Sequence, residues 1–283
     1  VNVTQIKAWL FLFGLLTLCG CSPISLRFPW QATDKQNQEM PLAVGKDDVS
    51  KNLPLIVEMV DSGLIPVNKD DLGACSKKLA MPLEQLAPAH PSNYGDRDAR
   101  DAWGRPLKAS PELIVLHETV ISGPQTVAFF QTNHPEDENQ ASYHLLIDRD
   151  GSRLRIVPDG KRAYGAGMSA FGDFTQRTKP TSVGSINNIA LHVSLVSPAD
   201  GRDDRDGHSG YTDAQYKTLA GQVLLWQAAF GIPMTRVTTH AAVDRSHSRY
   251  DPRSFRWNRF DPHYRAAVAA CGFSQFDNQQ AGL

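Results

Sequence analysis

Several common chemistries have no foothold in this sequence. It has no GxxxxGKS or GxxxxGKT loop and no GxGxxG fingerprint, the glycine-rich turns that bring backbone amides close to nucleotide phosphates, so a nucleotide site is not expected. It lacks an excess of charge of either sign. With 29 Lys and Arg against 30 Asp and Glu the net charge is -1, and nothing steers the chain toward nucleic acid. The apolar run Ala8–Leu18 falls short of the roughly 20 residues a membrane-spanning helix needs. Cysteine is sparse, at four in 283 residues. What is left is ordinary globular composition, 41% hydrophobic and 21% charged, enough for one sizeable core and some extra chain.

The first residues read as a targeting segment. Lys7 precedes the apolar run, which has the length of a signal-peptide core. Leu18-Cys19-Gly20-Cys21 follows, with a small residue before a cysteine and leucine three places upstream, and resembles the bacterial lipobox. On that reading residues 1–20 are removed, Cys21 carries lipid, and residues 21–50 are a polar tether. An ordinary cleaved signal peptide is the alternative. Ser22, in place of aspartate, points by the same resemblance to the outer membrane, with the protein facing the periplasm. After cleavage Cys75 and Cys271 remain besides Cys21, and in an oxidising compartment they are expected to pair. Free thiols are the alternative; zinc ligation is disfavoured because neither has a partner at ligand spacing.

Residues 51–110 read as an N-terminal extension with the apolar stretch Leu53–Val60 and loop-like composition around Asn93–Arg100. The main domain is expected over 111–264. Leu113–Leu116 is a continuous apolar run, as in a strand buried on both faces. A helix is expected over Gln125–Thr132. Ser142–Asp148 and Arg153–Val157 flank Asp150-Gly151, a hairpin signal. Ile189–Val196 is another buried strand. Thr212 and Gln215 form a capping box before Tyr216, Leu219, Ala220, Val223 and Leu224, which recur with helical period until Gly231 and Pro233. Met234–Thr239 returns to strand. Strands alternate with helices, so the class is α/β, with a single mixed central β-sheet flanked by helices. Residues 265–283 read as a C-terminal tail.

Two histidines stand where buried strands become loops. His117 ends the first strand, His240 ends the last, and Asp251 lies one loop beyond His240. Ends of parallel strands are where α/β sheets place their sites. A lone histidine there is more often structural. Two imidazoles with a carboxylate are a recurrent ligand set for catalytic zinc, leaving a fourth position for water.

Taken in order, Leu113–Thr119, Ser142–Gly151, Ala163–Gly167, Ser185–His192, Tyr211–Tyr216 and Thr239–Pro252 resemble the type 2 zinc N-acetylmuramoyl-L-alanine amidases, which include the animal peptidoglycan recognition proteins. The resemblance covers roughly residues 111–262. It implies the corresponding fold, one zinc per chain on His117, His240 and Asp251, and hydrolysis of the amide between N-acetylmuramic acid and L-alanine in peptidoglycan or its fragments. Tyr143 and Arg249 match positions that face the reacting carbonyl, where a cation two residues from a carboxylate ligand can stabilise an oxyanion. His192 stands where many relatives carry a catalytic glutamate, and two roles remain open for it: general base or pocket lining. Gly165 replaces a histidine common in relatives. His144 and Glu118 are expected to turn away from the metal, His247 is a pocket candidate, and His208 is expected at the surface or in a loop. A monomer is expected, with peptidoglycan or muropeptides as partner, a membrane contact through the lipid, and no nucleic acid. The rival reading is an envelope lipoprotein that binds peptidoglycan without cutting it.

Overall fold

The computed structural model describes residues 66–203 and 205–277. The expected signal segment, Cys21, the tether and residues 51–65 lie outside the described residues. In chain order the main elements are helix α1 (Lys69–Lys78), strands β1 (Glu84–Leu86), β2 (Tyr94–Asp96) and β3 (Leu113–Glu118), helix α2 (Gly123–Gln131), strands β4 (Leu145–Ile147), β5 (Arg153–Arg155), β6 (Lys161–Ala163) and β7 (Ala190–Leu195), helix α3 (Asp213–Phe230), strand β8 (Val237–Thr239), and helices α4 (His240–Val243), α5 (Trp257–Cys271) and α6 (Ser274–Asp277). Among the described residues no helix is long and apolar enough to cross a membrane.

Six strands form one mixed sheet in the order β1-β5-β4-β7-β3-β8. Only the β4–β5 pair is antiparallel. It is the expected hairpin, and Gly151 takes the left-handed conformation (φ +86°) that its turn requires. The sheet is therefore parallel at its centre, where β3 lies between β7 and β8 with all six residues buried.

The pleat of β3 divides the molecule. Ile114 and Leu116 face α3 and α5 in a core with Leu219, Val223, Phe260 and Tyr264. Leu113 and Val115 face the opposite way, toward Ala166, Phe171 and Ile186 in the long β6–β7 connection. Successive strand residues alternate between faces, so His117 falls on this second side and Glu118 on the helix side. Helix α3 begins and ends as expected: Thr212 and Gln215 form both hydrogen bonds of the capping box, and Gly231 closes it in the left-handed region.

Two stretches outside the expected domain belong to the same body. Within the presumed extension, β1 is an edge strand of the main sheet and β2 pairs with β6. Three-residue strands show too little alternation to announce themselves. At the other end α5 runs past residue 264 to Cys271, and α6 forms where a tail was expected. Ala267, Val268 and Phe276 are buried in the α3–α5 core, which keeps this segment folded.

Cys75 and Cys271 form a disulfide that joins α1 to the end of α5 across 196 residues of chain. Closing so long a loop restricts the unfolded chain by a nominal 4–5 kcal/mol, roughly. We expect the Cys75→Ser/Cys271→Ser protein to fold but to melt lower by on the order of 10 °C. Equal melting temperatures for the oxidised parent and this variant would show that the bridge adds nothing.

Candidate metal centre and active site

Three elements deliver the site. β3 ends in His117, β8 runs into α4 whose first residue is His240, and the loop before α5 carries Asp251. The Thr239 side chain accepts a hydrogen bond from the Ala242 amide, which caps α4 and fixes where His240 leaves the sheet. The Ala241 amide donates to the carbonyl of Asp251 at 2.9 Å and ties the two ligand segments together.

One ligand atom from each of His117, His240 and Asp251 lies within 4.8 Å of the others, and all three residues are buried. The Asp251 carboxylate faces both rings, with Oδ1 2.9 Å from His240 Nδ1 and Oδ2 3.3 Å from His117 Nδ1. The imidazole centroids are 4.6 Å apart. Nδ1 of His117 is fully buried and completes no hydrogen bond, although it faces the Asp251 carboxylate. A buried polar nitrogen without a hydrogen bond is costly, and a metal cation between it and the carboxylate fits the place.

The electrostatics favour the same state. Burial pulls the His117 pKa down to about 4, against the pull of Asp251, so the ring is neutral near pH 7. Burial works against the Asp251 carboxylate, but His240 and His117 outweigh it and hold it ionised, well below the usual range. Neutral imidazole and ionised carboxylate are the forms that ligate metal.

His240 and Asp251 line a cleft of about 540 Å³ whose walls also include Tyr143, Arg162, Tyr164, Lys179 and Arg249, with His117 buried directly behind them. The Tyr143 ring stacks on His117 at 4.4 Å. Burial raises its phenol pKa well above the ordinary value, so it remains a neutral donor. Arg249 lines the cleft from a loop organised by Asp244, whose carboxylate accepts from the amides of Ser246, Ser248 and Arg249. Asp244 is a functional residue the motifs do not mark, although Asp244-Arg-Ser-His-Ser248 carries the polar pattern of such a turn.

His192 does not stand where either expected role needs it. Both require it to face the cleft, but its ring is fully buried behind the ligand, with Nδ1 2.9 Å from His117 Nε2. Gly165 lies directly over it: a Cβ there would come within 2.5 Å of the imidazole. The ring occupies the space that a side chain at 165 would take. If His117 offers Nδ1 to a metal, its Nε2 carries the proton and donates to His192, which fixes the ligand's tautomer and orientation. His192 is in turn held by His144, whose Nδ1 accepts the His192 amide at 3.0 Å while its Nε2 donates to the Lys161 carbonyl.

The remaining histidines divide. His144 is turned away from the cleft, as expected. His247 is exposed and contributes nothing to the cleft wall. His208, expected at the surface or in a loop, lies in a loop but has a fully buried side chain against Glu118. Only the partner it meets in three dimensions distinguishes it from a surface loop residue.

A family model for N-acetylmuramoyl-L-alanine amidase matches residues 107–254, just over half of the chain. This chain belongs to the N-acetylmuramoyl-L-alanine amidase family. The amidase is 27% identical over 179 residues to the 1,6-anhydro-N-acetylmuramyl-L-alanine amidase AmpD of Salmonella typhimurium strain LT2, covering 58% of this chain and 84% of that one. It is 29% identical over 170 residues to AmpD of Citrobacter freundii, covering 55% and 82%. A crystal structure of AmpD with selenomethionine superposes with a TM-score of 0.47 at 26% identity, over 64% of the amidase and 93% of that chain.

The buried histidines set an acid limit for the metal-free amidase. An unfolded histidine takes up a proton near its ordinary pKa of about 6.5, whereas folded His117 resists until about 4. Its contribution to stability is therefore fully present above about pH 6.5 and is lost as pH falls toward 4. His144 and His192, whose pKa values burial also lowers, act with the same sign. We expect the melting temperature of chelator-treated protein to fall across this window and that of metal-loaded protein to hold to lower pH. A flat profile from pH 7 to 4.5 in chelator would contradict this reading.

Proposed function

We propose that this amidase cuts the amide between the lactyl group of N-acetylmuramic acid and L-alanine in peptidoglycan fragments, using one zinc ion held by His117, His240 and Asp251. The observation that carries the proposal is the convergence of two imidazoles and one ionised carboxylate at a cleft whose wall bears Tyr143 and Arg249. The family and the names of the AmpD relatives favour this bond, and the relatives' names favour the 1,6-anhydro form of the sugar.

A zinc ion so held supplies Lewis-acid polarisation and makes hydroxide available near neutral pH. The chain's own residues do the rest. His192 keeps the Nδ1 lone pair of His117 directed at the metal side. The Tyr143 hydroxyl and the Arg249 guanidinium serve as donors to the oxygen of the attacked carbonyl as negative charge develops there. Asp244 holds the Arg249 loop in place. We also propose, from the sequence alone, that Cys21 is lipidated and anchors the enzyme to the outer membrane facing the periplasm.

The test is mass spectrometry of anhydro-muropeptides and of purified sacculi incubated with the protein, with and without chelator. We expect free peptides beginning with L-alanine, produced faster from the soluble fragments and abolished by chelator. Binding without cleavage would make the protein a peptidoglycan-binding module. Tyr143→Phe removes one oxyanion donor, so it should keep its zinc and lose on the order of 10²–10³ in turnover. Turnover at the parent rate would remove Tyr143 from the mechanism.

A further inference from the structure

On the helix side of β3, where Glu118 borders the cleft but buries its side chain, lies a charged pair that the proposed reaction does not use. The Glu118 side chain is fully buried and so, within 1%, is that of Arg253. Glu118 Oε1 accepts from the Arg253 amide at 3.1 Å and from its Nε at 2.6 Å. Oε2 meets Ser197 Oγ at 3.1 Å, His208 Nε2 at 3.0 Å and the Tyr211 hydroxyl at 3.3 Å. The other guanidinium nitrogens of Arg253 donate to the carbonyls of Gly201, Asp203 and Arg205, each at 2.6 Å.

A buried ion pair is a poor device for stability alone, because desolvating two charges offsets most of their attraction. It does fix geometry, because each partner strongly penalises any arrangement that separates them. The location is what gives this pair meaning. Glu118 is the residue after His117, and Arg253 is two residues after Asp251. The Glu118 amide also points at Asp251 Oδ2, at 3.4 Å. The pair thus bolts the end of the strand that presents one ligand to the loop that presents another. The same guanidinium gathers the 199–210 loop around that joint.

We propose that Glu118 and Arg253 are positioning residues for the metal centre, holding the Asp251 carboxylate in register with His117 and His240. The proposal rests on the zinc reading above. Supporting groups of this kind typically change metal affinity by about 10–100-fold.

The test measures the zinc dissociation constant of the full chain by chelator competition, alongside thermal unfolding. Glu118→Gln, which keeps the shape and removes the charge, and Arg253→Met should each weaken zinc binding by about 10–100-fold. The double variant should lose less than the product of the two single losses, because both remove the same joint. Val223→Ala, a buried change in α3 that removes no hydrogen bond or ion pair of the ligands or of the Glu118–Arg253 joint, serves as control: it should lower the melting temperature and leave zinc affinity unchanged. If a single variant fails to fold, Tyr211→Phe removes one donor to Glu118 and should weaken zinc binding in the same direction by a smaller factor. Folded variants that bind zinc as tightly as the parent would overturn the proposal. A parent protein that binds no zinc would instead overturn the reading of the site on which it rests.

Discussion

One carboxylate shared between two buried imidazoles organises this molecule. Asp251 is ionised in a place where burial alone would oppose its charge, and it is tolerable there because His117 and His240 face it. The His117 ring in turn is neutral and desolvated, and its buried Nδ1 faces the carboxylate without completing a hydrogen bond. Such a cluster has the donor set that a cation would fill. The parallel centre of the sheet follows from the same constraint, since β3 and β8 must release their histidines at the same end, within reach of one loop.

Around that cluster the structure works in two layers. On the loop side, Tyr143, Arg249 and the cleft wall face the space where a substrate carbonyl would lie. On the other side, His192 and His144 brace His117, and Glu118 with Arg253 braces the Asp251 loop. Gly165 belongs to this second layer through what it omits, because the imidazole of His192 fills the room a side chain there would need. The histidine at 192 and the glycine at 165 are therefore one packing solution, and reading either position alone misassigns its role.

Much of this was legible in the chain. Continuous apolar strands, the Thr212 capping box, the turn at Gly151 and the ligands at strand ends all rest on local patterns. These patterns survive because their causes are local: pleat alternation, cap geometry, positive φ. What was hidden depends on distant partners. His192 has the local pattern of a cleft residue, but its ring is fully buried against Nε2 of His117. His208 carries no local sign that a glutamate 90 residues earlier would bury it. The strands β1 and β2 are too short for alternation to register, and α5 is held beyond residue 264 by a disulfide and by contacts with helices far away in sequence.

The most direct test of the central claim is X-ray absorption at the zinc edge of the loaded protein. The account requires a first shell of nitrogen and oxygen at about 2.0–2.2 Å, with outer-shell scattering from two imidazole rings and no sulfur. A sulfur distance near 2.3 Å, or an all-oxygen shell without imidazole scattering, would show that the metal sits elsewhere.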